Sequence, residues 1–351
     1  MLPPSPTPEP SPSTSSAAVL RFALPFCLAC TLALIVPTRS NPQAQQSTND
    51  DEVLRVSTDL LIFPIRVRDK RVPSPGALSE RDLAIKDDDH ATSGFYLYQG
   101  ADRVALVFAL DQSGSLRDIV SQQSEAALAL FSRFGDKSQV AVIHFAERPS
   151  LVAHFGRDTN ALREAFTLPV RANQHTAIFD AAAEAVDAFE SLPRMRSERR
   201  IGILISDGLD NASKLKANQV VELARQKHVS FYVIHLPLFE PRDGRLAVRT
   251  PAKGFRDLAE KTGGKYFLAG DLSSALSPQA NKASINLAPI FQAIEEDLKS
   301  QYLLGFYAGQ GSHDGRKHRF KVTLPAGVEY RLWNNDFARS HEFFVNMPAD
   351  K

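Results

Sequence analysis

The chain has 351 residues, of which 43% are hydrophobic and 23% are charged, and its formal net charge is +1. This length suits two modest domains or one large one, and the near-neutral charge gives no reason to expect nucleic acid or an acidic membrane as a partner. Both cysteines, Cys27 and Cys30, lie in the N-terminal apolar stretch. If that stretch is removed, the mature chain has no thiol, which excludes thiolate catalysis and thiolate metal sites.

Residues 1–46 are predicted to be a signal peptide and linker. Arg21 precedes an apolar run, 22–36, that has the length of a signal-peptide core and is short for a bilayer span. Three outcomes stay open: cleavage, retention as an uncleaved anchor, and lipidation at Cys30. All three place residues 50–351 outside the cytoplasm, in a secreted or periplasmic protein.

Residues 50–101 are predicted to form an N-terminal β segment. Apolar and polar residues alternate there, which is typical of half-buried strands. The predicted strands are 53–57, 60–69, 82–89 and 94–100.

Residues 102–275 are predicted to form an α/β domain. Its predicted strands are 103–110, 138–146, 199–206, 229–236 and 264–269, and its predicted helices are 116–134, 177–192, 216–228 and 254–262. Strands of continuous Val, Ile and Leu between amphipathic helices indicate a doubly wound, mostly parallel sheet covered on both faces.

Residues 285–345 are predicted to supply one helix, 286–300, followed by strands at 301–309, 317–325 and 328–334. Neither terminal set of strands has enough area for a stable core of its own. The two ends of an inserted domain usually lie close together. We therefore expect the N- and C-terminal strands to pair into one β-sandwich, with the α/β domain inserted between them and its ligand-binding edge pointing away.

Polar side chains follow the predicted strands or open a predicted helix at places that we expect to lie together at one edge of the sheet. Asp111, Ser113 and Ser115 follow the first strand of the domain, Thr176 opens a helix, and Asp207 ends another strand. Ligands of open α/β sheets bind outside the carboxyl ends of the strands. Five hard oxygen donors on such surface loops suit Mg²⁺ or Mn²⁺, with Ca²⁺ as the alternative.

The motifs "DQSGS", "TAIFDA" and "ILISDG" together resemble a von Willebrand factor type A domain, with the resemblance covering about 102–271. Their order and spacing match the metal-ion-dependent adhesion site of that family. The resemblance implies that Ser113 and Ser115 bind the ion directly, while Thr176, Asp111 and Asp207 bind it directly or through water. It also implies that a carboxylate from a protein partner completes the coordination shell.

A narrower resemblance is to a bacterial family described as von Willebrand factor type A-related, common in Acidobacteria. It is carried by "LSERDLAIKDDD", "LAEKTGGKYF", "YLLGFYAG" and "RKHRFKVTL", whereas "RLWNNDFAR" stands in place of the usual Arg-x-Gly-Tyr ending. The molecular function of that family is largely unassigned, so the resemblance names no ligand.

Three functions are weighed. We expect a non-enzymatic, adhesion-type binding protein whose metal captures an acidic group of a protein partner. The alternatives are an assembly subunit in which the metal only stabilises loops, and a metal-assisted hydrolase. The nucleophile elbow of serine hydrolases, a glycine-rich dinucleotide motif and a P-loop are all absent from the sequence. Helix capping by Asp111, Ser113 and Thr176 is the plain structural alternative to a metal site.

Overall fold

A computed structural model describes residues 60–70, 78–92, 94–100, 103–112, 116–167, 175–193, 195, 198–270, 285–307, 314–333 and 336–347. The chain divides into two compact units, 1–55 and 56–351, and the described residues belong to the second. The predicted leader and the predicted strand at 53–57 lie outside the described residues. None of the described helices is both long and apolar enough to cross a membrane.

The second unit alternates between strands and helices in its central part and is rich in strands at both ends. Its described strands are β1 Leu60–Asp69, β2 Ala84–Asp87, β3 His90–Ala91, β4 Phe95–Gln99, β5 Arg103–Asp111, β6 Gln139–Phe145, β7 Pro149–Gly156, β8 Glu198–Ser206, β9 Val229–His235, β10 Phe239–Arg242, β11 Arg245–Val248, β12 Tyr266–Leu268, β13 Tyr302–Tyr307, β14 Lys317–Thr323, β15 Val328–Leu332 and β16 Ser340–Asn346. Its described α-helices are α1 Arg117–Ser121, α2 Ser124–Ser132, α3 Thr159–Ala165, α4 Ile178–Ala188, α5 Ala217–Gln226, α6 Phe255–Glu260 and α7 Ala288–Ser300.

The central sheet has six strands in the order β12-β9-β8-β5-β6-β7. All neighbouring strands in this sheet pair in parallel, except that β7 pairs antiparallel with β6. Successive side chains of β5 enter two different cores: Leu106 and Phe108 pack with α1, α2, α3 and α7, whereas Val107 and Ala109 pack with α4, α5 and α6. A strand buried on both faces needs apolar residues at every position, which explains the uninterrupted run in its sequence.

Strands from both ends of the chain form two antiparallel sheets, in the orders β15-β1-β13-β4 and β16-β14-β2-β3. In the first sheet, N-terminal β1 lies between C-terminal β13 and β15; in the second, C-terminal β14 lies between β16 and N-terminal β2. Residues from both sheets, among them Phe63, Ile85, Tyr330 and Phe343, share one hydrophobic core. The predicted fold class, a mostly parallel α/β sheet inserted in a β-sandwich, is confirmed; the predicted domain boundaries stay predictions.

Several elements differ from those expected. The single helix predicted for 116–134 is two helices. At the break, the side chain of Gln123 bonds to the Ile285 carbonyl and to the Leu287 N–H. Strands β3, β7, β10, β11 and β16 and helix α3 were not predicted. Strand β7 alternates half-buried and exposed residues, so it lacks the apolar run of the other sheet strands.

The sandwich meets the central sheet at the amino ends of the sheet strands. Arg66 of β1 donates through Nη2 to the carbonyl of Gly263, just before β12, over 2.9 Å. The next residue, Gly264, lies so close to β9 that an added Cβ would be 1.7 Å from the Phe231 carbonyl oxygen. The carboxyl edge, where the candidate ligands lie, is therefore at the opposite end of these strands from the sandwich.

Candidate functional site

Asp111, the first predicted ligand, is the last residue of β5 and is fully buried. The parallel register pairs Leu110 with Ile205, which sets Ser206 of β8 beside Asp111. Ser206 Oγ donates a hydrogen bond to Asp111 Oδ2 over 2.6 Å and so orients the carboxylate. The expectation that the ligands lie on surface loops is wrong for Asp111, because the buried strand continues through it.

Asp207, the first residue after β8, is also buried. Its Oδ1 accepts the N–H of Leu209 over 2.9 Å, across a turn at Gly208 with φ of 83°. Burial raises the pKa of Asp207, while the Leu209 hydrogen bond and the charge of Arg249 act in the opposite direction. The ionised carboxylate is thus only partly compensated, and a cation beside it would stabilise the charged form.

His235, at the end of β9, holds the backbone of Asp207 and was not singled out from the sequence. Its Nε2 lies 2.9 Å from the Asp207 carbonyl oxygen, which can only accept, so Nε2 carries the proton. Burial lowers the pKa of His235 and favours the neutral ring, whose Nδ1 then accepts from the Tyr266 hydroxyl. The register of β8 and β9, which pairs His235 with Ser206, was the information that the sequence lacked.

Thr176, the predicted helix-opening ligand, is buried and is tied to the loop that follows Asp207. Its N–H donates to Asn211 Oδ1 over 2.7 Å. In return, the Asn211 and Ala212 N–H groups donate to the Thr176 carbonyl over 3.0 and 3.2 Å. Three hydrogen bonds therefore join the Thr176 loop to the Asp207 loop.

The Thr176 loop is also anchored to the neighbouring strand β6. The N–H of Ala177 donates to the carbonyl of Ala146, the residue after β6, over 2.8 Å. Phe145, the last residue of β6, pairs with Asp111 in the parallel register. Thr176 is thereby fixed at the same edge of the sheet as Asp111.

Two of the five predicted ligands, Ser113 and Ser115, lie outside the described residues. Two other carboxylates near the edge bind backbone instead: Asp180 accepts the N–H of Leu215 over 2.9 Å, and Asp210 accepts the N–H of Ser213 over 3.0 Å. These bonds shape the loop that carries Asn211, in agreement with a structural role for both aspartates.

The three described ligand candidates bring two carboxylates and one hydroxyl to one buried edge. All are hard oxygen donors, the kind that Mg²⁺, Mn²⁺ and Ca²⁺ prefer. The incompletely compensated charge of Asp207 and the orientation of Asp111 by Ser206 both fit a divalent cation. Such a cation would hold oxygen ligands and could accept one more from outside the chain.

The family model for the von Willebrand factor type A domain matches residues 105–280, just over half of the chain. The chain belongs to the von Willebrand factor type A family. The matched segment begins at the strand that ends in Asp111 and includes the loops of Thr176 and Asp207. No curated protein matches the chain in sequence. The narrower relationship to the Acidobacteria-type family stays a prediction.

Solved structures of low sequence identity are similar to parts of the chain. BatB from Bacteroides thetaiotaomicron is 20% identical, with a TM-score of 0.41, and the match covers 56% of this chain and 99% of that one. A von Willebrand factor type A protein from Catenulispora acidiphila is 14% identical, with a TM-score of 0.44, over 84% of this chain and 76% of that one. Proximal thread matrix protein 1 from the mussel byssus was solved with a zinc-occupied metal-ion-dependent adhesion site (MIDAS) motif. It is 17% identical, with a TM-score of 0.45, and the match covers 61% of this chain and 50% of that one.

A second cluster of side chains of the kinds that bind metal ions lies outside the type A domain, in the sandwich. His318 Nδ1 is 2.9 Å from Asp87 Oδ1 and 3.8 Å from Asp88 Oδ2, and its Nε2 is 3.2 Å from Asp314 Oδ1. Burial alone would lower the pKa of His318, but Asp87 and Asp314 outweigh it and raise the pKa. With a carboxylate at each ring nitrogen, the arrangement is that of an imidazolium ion pair.

Proposed function

We propose that this chain is an extracytoplasmic binding protein that holds a divalent cation at the carboxyl edge of its type A domain and uses it to capture an acidic group of a protein partner. The proposed ligands are Asp111, Ser113, Ser115, Thr176 and Asp207, and Mg²⁺ is the proposed ion, with Mn²⁺ or Ca²⁺ as alternatives. The observation that carries the proposal is that Asp111 is the last residue of β5 and Asp207 directly follows the neighbouring parallel strand β8. Thr176 is hydrogen-bonded to the loop after Asp207, and the adjacent Ala177 is hydrogen-bonded to the residue after β6, the strand on the other side of β5.

Each residue has a definite part in this proposal. Ser206 directs one oxygen of Asp111, and His235 holds the backbone at Asp207, so the two carboxylates keep their positions before the cation arrives. Thr176 would add a neutral hydroxyl oxygen. When bound, the cation supplies a positive charge and an open coordination position for a partner's carboxylate.

We propose binding rather than catalysis at this edge. His235 is the histidine that touches Asp207, but it uses Nε2 on the backbone carbonyl of Asp207 and Nδ1 on the Tyr266 hydroxyl. A general base must reach the proton that it removes, and this ring is already engaged on both sides.

Isothermal titration of the mature chain with MgCl₂ tests the metal site. Asp111→Asn and Asp207→Asn should each abolish Mg²⁺ binding, because each removes a charged ligand while keeping the side-chain shape. Asp210→Asn is the matched control, since Asp210 lies in the same loop but accepts backbone N–H groups. Unchanged Mg²⁺ affinity in both ligand variants would defeat the assignment.

Affinity capture from an envelope extract tests the partner. The wild-type chain should retain a partner in Mg²⁺ and release it in EDTA, and Asp111→Asn should retain none even in Mg²⁺. If EDTA lowers the melting temperature of the chain but leaves capture unchanged, the metal has only a scaffolding role and the capture mechanism is wrong.

A reporter fusion tests the location. Residues 1–50 joined to a reporter that is active only after export should give activity outside the cytoplasm. A silent reporter, with the full chain recovered from the cytosol, would remove the extracytoplasmic part of the proposal.

A further inference from the structure

The hairpin of β10 and β11 is inserted between β9 and α6, at the carboxyl edge of the central sheet. Its two ends are bound to the residues on either side of Asp207. The N–H of Leu236 donates to the Ser206 carbonyl over 2.9 Å, and the N–H of Ala252 donates to the Gly208 carbonyl over 2.7 Å. The hairpin is therefore anchored directly at the proposed metal site.

Three arginines share one face of this hairpin. Side chains two residues apart in a strand, and those of directly paired residues, point to the same face of a sheet. Arg242 is two residues after Glu240 and pairs with Arg245, and Glu240 pairs with Ala247. Arg249 is two residues beyond Ala247, and its N–H continues the ladder to the residue before β10 over 2.7 Å. We call Arg242, Arg245 and Arg249 the basic face.

The basic face holds more positive than negative charge. Its carboxylate, Glu240, lies 3.6 Å from Arg242 Nη2 and 3.8 Å from Arg249 Nε. Both arginine side chains are more than half exposed, so these long pairs contribute little. Arg245 forms no ion pair with a described residue and lies directly opposite Arg242, which is unfavourable for like charges. With Asp243 in the turn, the hairpin carries three positive and two negative charges.

The basic face begins beside the proposed metal site. The charge of Arg249 reaches Asp207, where it acts against the rise in pKa that burial causes. Arg242 and Arg245 flank the turn at the far end of the hairpin. From Arg249 to Arg245 the strand rises by about 13 Å, the length of four residues. Positive charge thus extends outward from the metal edge over the length of a short extended peptide.

We propose that the basic face binds an acidic segment of the same protein partner whose carboxylate completes the metal shell. One carboxylate of that segment would bind the cation, and carboxylates further along it would pair with Arg249, Arg245 and Arg242. Planar guanidinium groups favour carboxylates through paired, charge-assisted hydrogen bonds. This inference rests on the proposed function and adds that the partner presents a run of acidic residues.

An acidic peptide suits this face better than a nucleic acid does. Glu240 and Asp243 interrupt the positive charge of the hairpin. They repel a phosphate backbone, whose charge is continuous, whereas the side chains of a peptide can be spaced to avoid them.

Fluorescence anisotropy with the mature chain, Mg²⁺ and a labelled peptide containing a run of aspartates tests the proposal. Wild type should bind saturably. Arg245→Gln should weaken binding about fivefold, as expected for one exposed ion pair, and Arg242→Gln combined with Arg245→Gln should weaken it at least about tenfold. A peptide of the same length with a single aspartate should bind wild type at least about tenfold more weakly than the aspartate run.

Arg157→Gln is the matched control. Arg157 is likewise about half exposed and pairs with Asp136 over 3.1 Å. It follows β7, whose last residue Gly156 pairs with Val140 near the start of β6, so it lies at the opposite edge of the sheet. Arg157→Gln should bind the aspartate peptide like wild type. Equal affinity in the Arg245 and Arg157 variants, or no saturable binding by wild type, overturns the proposal.

EDTA and Asp111→Asn separate this proposal from metal capture. Binding that needs Mg²⁺ but is unchanged in the arginine variants supports metal capture and overturns the role of the basic face. Binding that the arginine variants weaken equally in Mg²⁺ and in EDTA supports the basic face and contradicts metal capture.

A labelled single-stranded oligonucleotide of similar charge tests the class of partner. It should bind wild type at least about tenfold more weakly than the aspartate peptide does. Equal or tighter binding of the oligonucleotide overturns the assignment to an acidic protein segment.

Discussion

Two buried carboxylates, at opposite ends of the central sheet, differ in how their charge is satisfied. Asp297, at the junction with the sandwich, accepts from Arg66, Lys265 and the Tyr232 hydroxyl; burial alone would raise its pKa, but these donors hold it at about 2. Asp207, at the carboxyl edge, accepts from one described backbone N–H, and burial raises its pKa. The first charge is matched inside the fold, and the second is matched only in part by the described groups around it.

We infer from this difference a separation between a structural carboxylate, Asp297, and a candidate ligand, Asp207. A buried ion pair that loses one partner leaves the other uncompensated, so Asp297 is expected to stabilise the fold. A buried carboxylate with few donors costs stability on its own and is retained where a ligand compensates it. The following predictions test that separation, from the largest expected effect on the fold to the smallest.

The largest effect is expected from ending the chain at Gln301. This removes β13 to β16, and with them the strands that flank β1 and pair with β2 and β4. Limited proteolysis with mass spectrometry should show that 60–100 becomes sensitive, because small unpaired strands are not stable alone. The segment 103–270 is the internal control and should stay protected. Continued protection of 60–100 would show that the two terminal sets do not share a core.

Asp297→Asn should lower the free energy of unfolding by about 3–5 kcal/mol, because it leaves Arg66 and Lys265 facing an uncharged group. Chemical denaturation at neutral pH measures the change. Asp257→Asn, at an exposed pair with Lys261, is the control and should cost less than about 1 kcal/mol. Similar losses in the two variants would contradict a structural role for Asp297.

The pH dependence sharpens this prediction. The folded-state pKa of Asp297 is about 2, below its ordinary value of 3.8. Its contribution to the free energy of unfolding is therefore present above pH 3.8 and is lost as the pH falls toward 2. Wild type should lose stability over that interval, and the loss should be smaller in Asp297→Asn.

A smaller effect is expected from His318→Gln in the sandwich. Asp87 and Asp314 raise the folded-state pKa of His318 above its ordinary value of 6.5. The contribution of the protonated ring to the free energy of unfolding is therefore complete below pH 6.5 and is lost as the pH rises through the raised pKa. Wild type should exceed the variant in stability by up to about 1 kcal/mol near pH 6, and the gap should close near pH 9. A gap that does not change with pH would mean that His318 stabilises the sandwich by packing alone.

The smallest effect on stability is expected from Asp207→Asn in the absence of divalent cations. The amide keeps an oxygen for the Leu209 N–H and removes a partly compensated buried charge, so the free energy of unfolding should rise slightly, by less than about 1 kcal/mol. Thermal unfolding in EDTA measures it. A loss comparable to that in Asp297→Asn would erase the distinction between the two carboxylates.

Much of the fold followed from local patterns. The strands at 60–69 and 199–206 and the helix at 286–300 were predicted within two residues of their observed bounds, because apolar periodicity reports directly on burial. The positions of Asp111 and Asp207 at strand ends followed from the same periodicity. Strands β7 and β16 were missed, since edge strands carry half-exposed side chains and a weak pattern.

The sequence by itself determined the alternation of strands and helices and the oxygen donors at the strand ends, since both depend on residues close together in the chain. Only the tertiary structure decided which distant groups compensate each charge. Arg66 and Asp297 are 231 residues apart, and Ser206 and Asp111 are 95 apart. Register across the sheets sets these contacts. Because a pKa depends on what faces the group in space, the opposite behaviour of two buried aspartates appears only in the folded molecule.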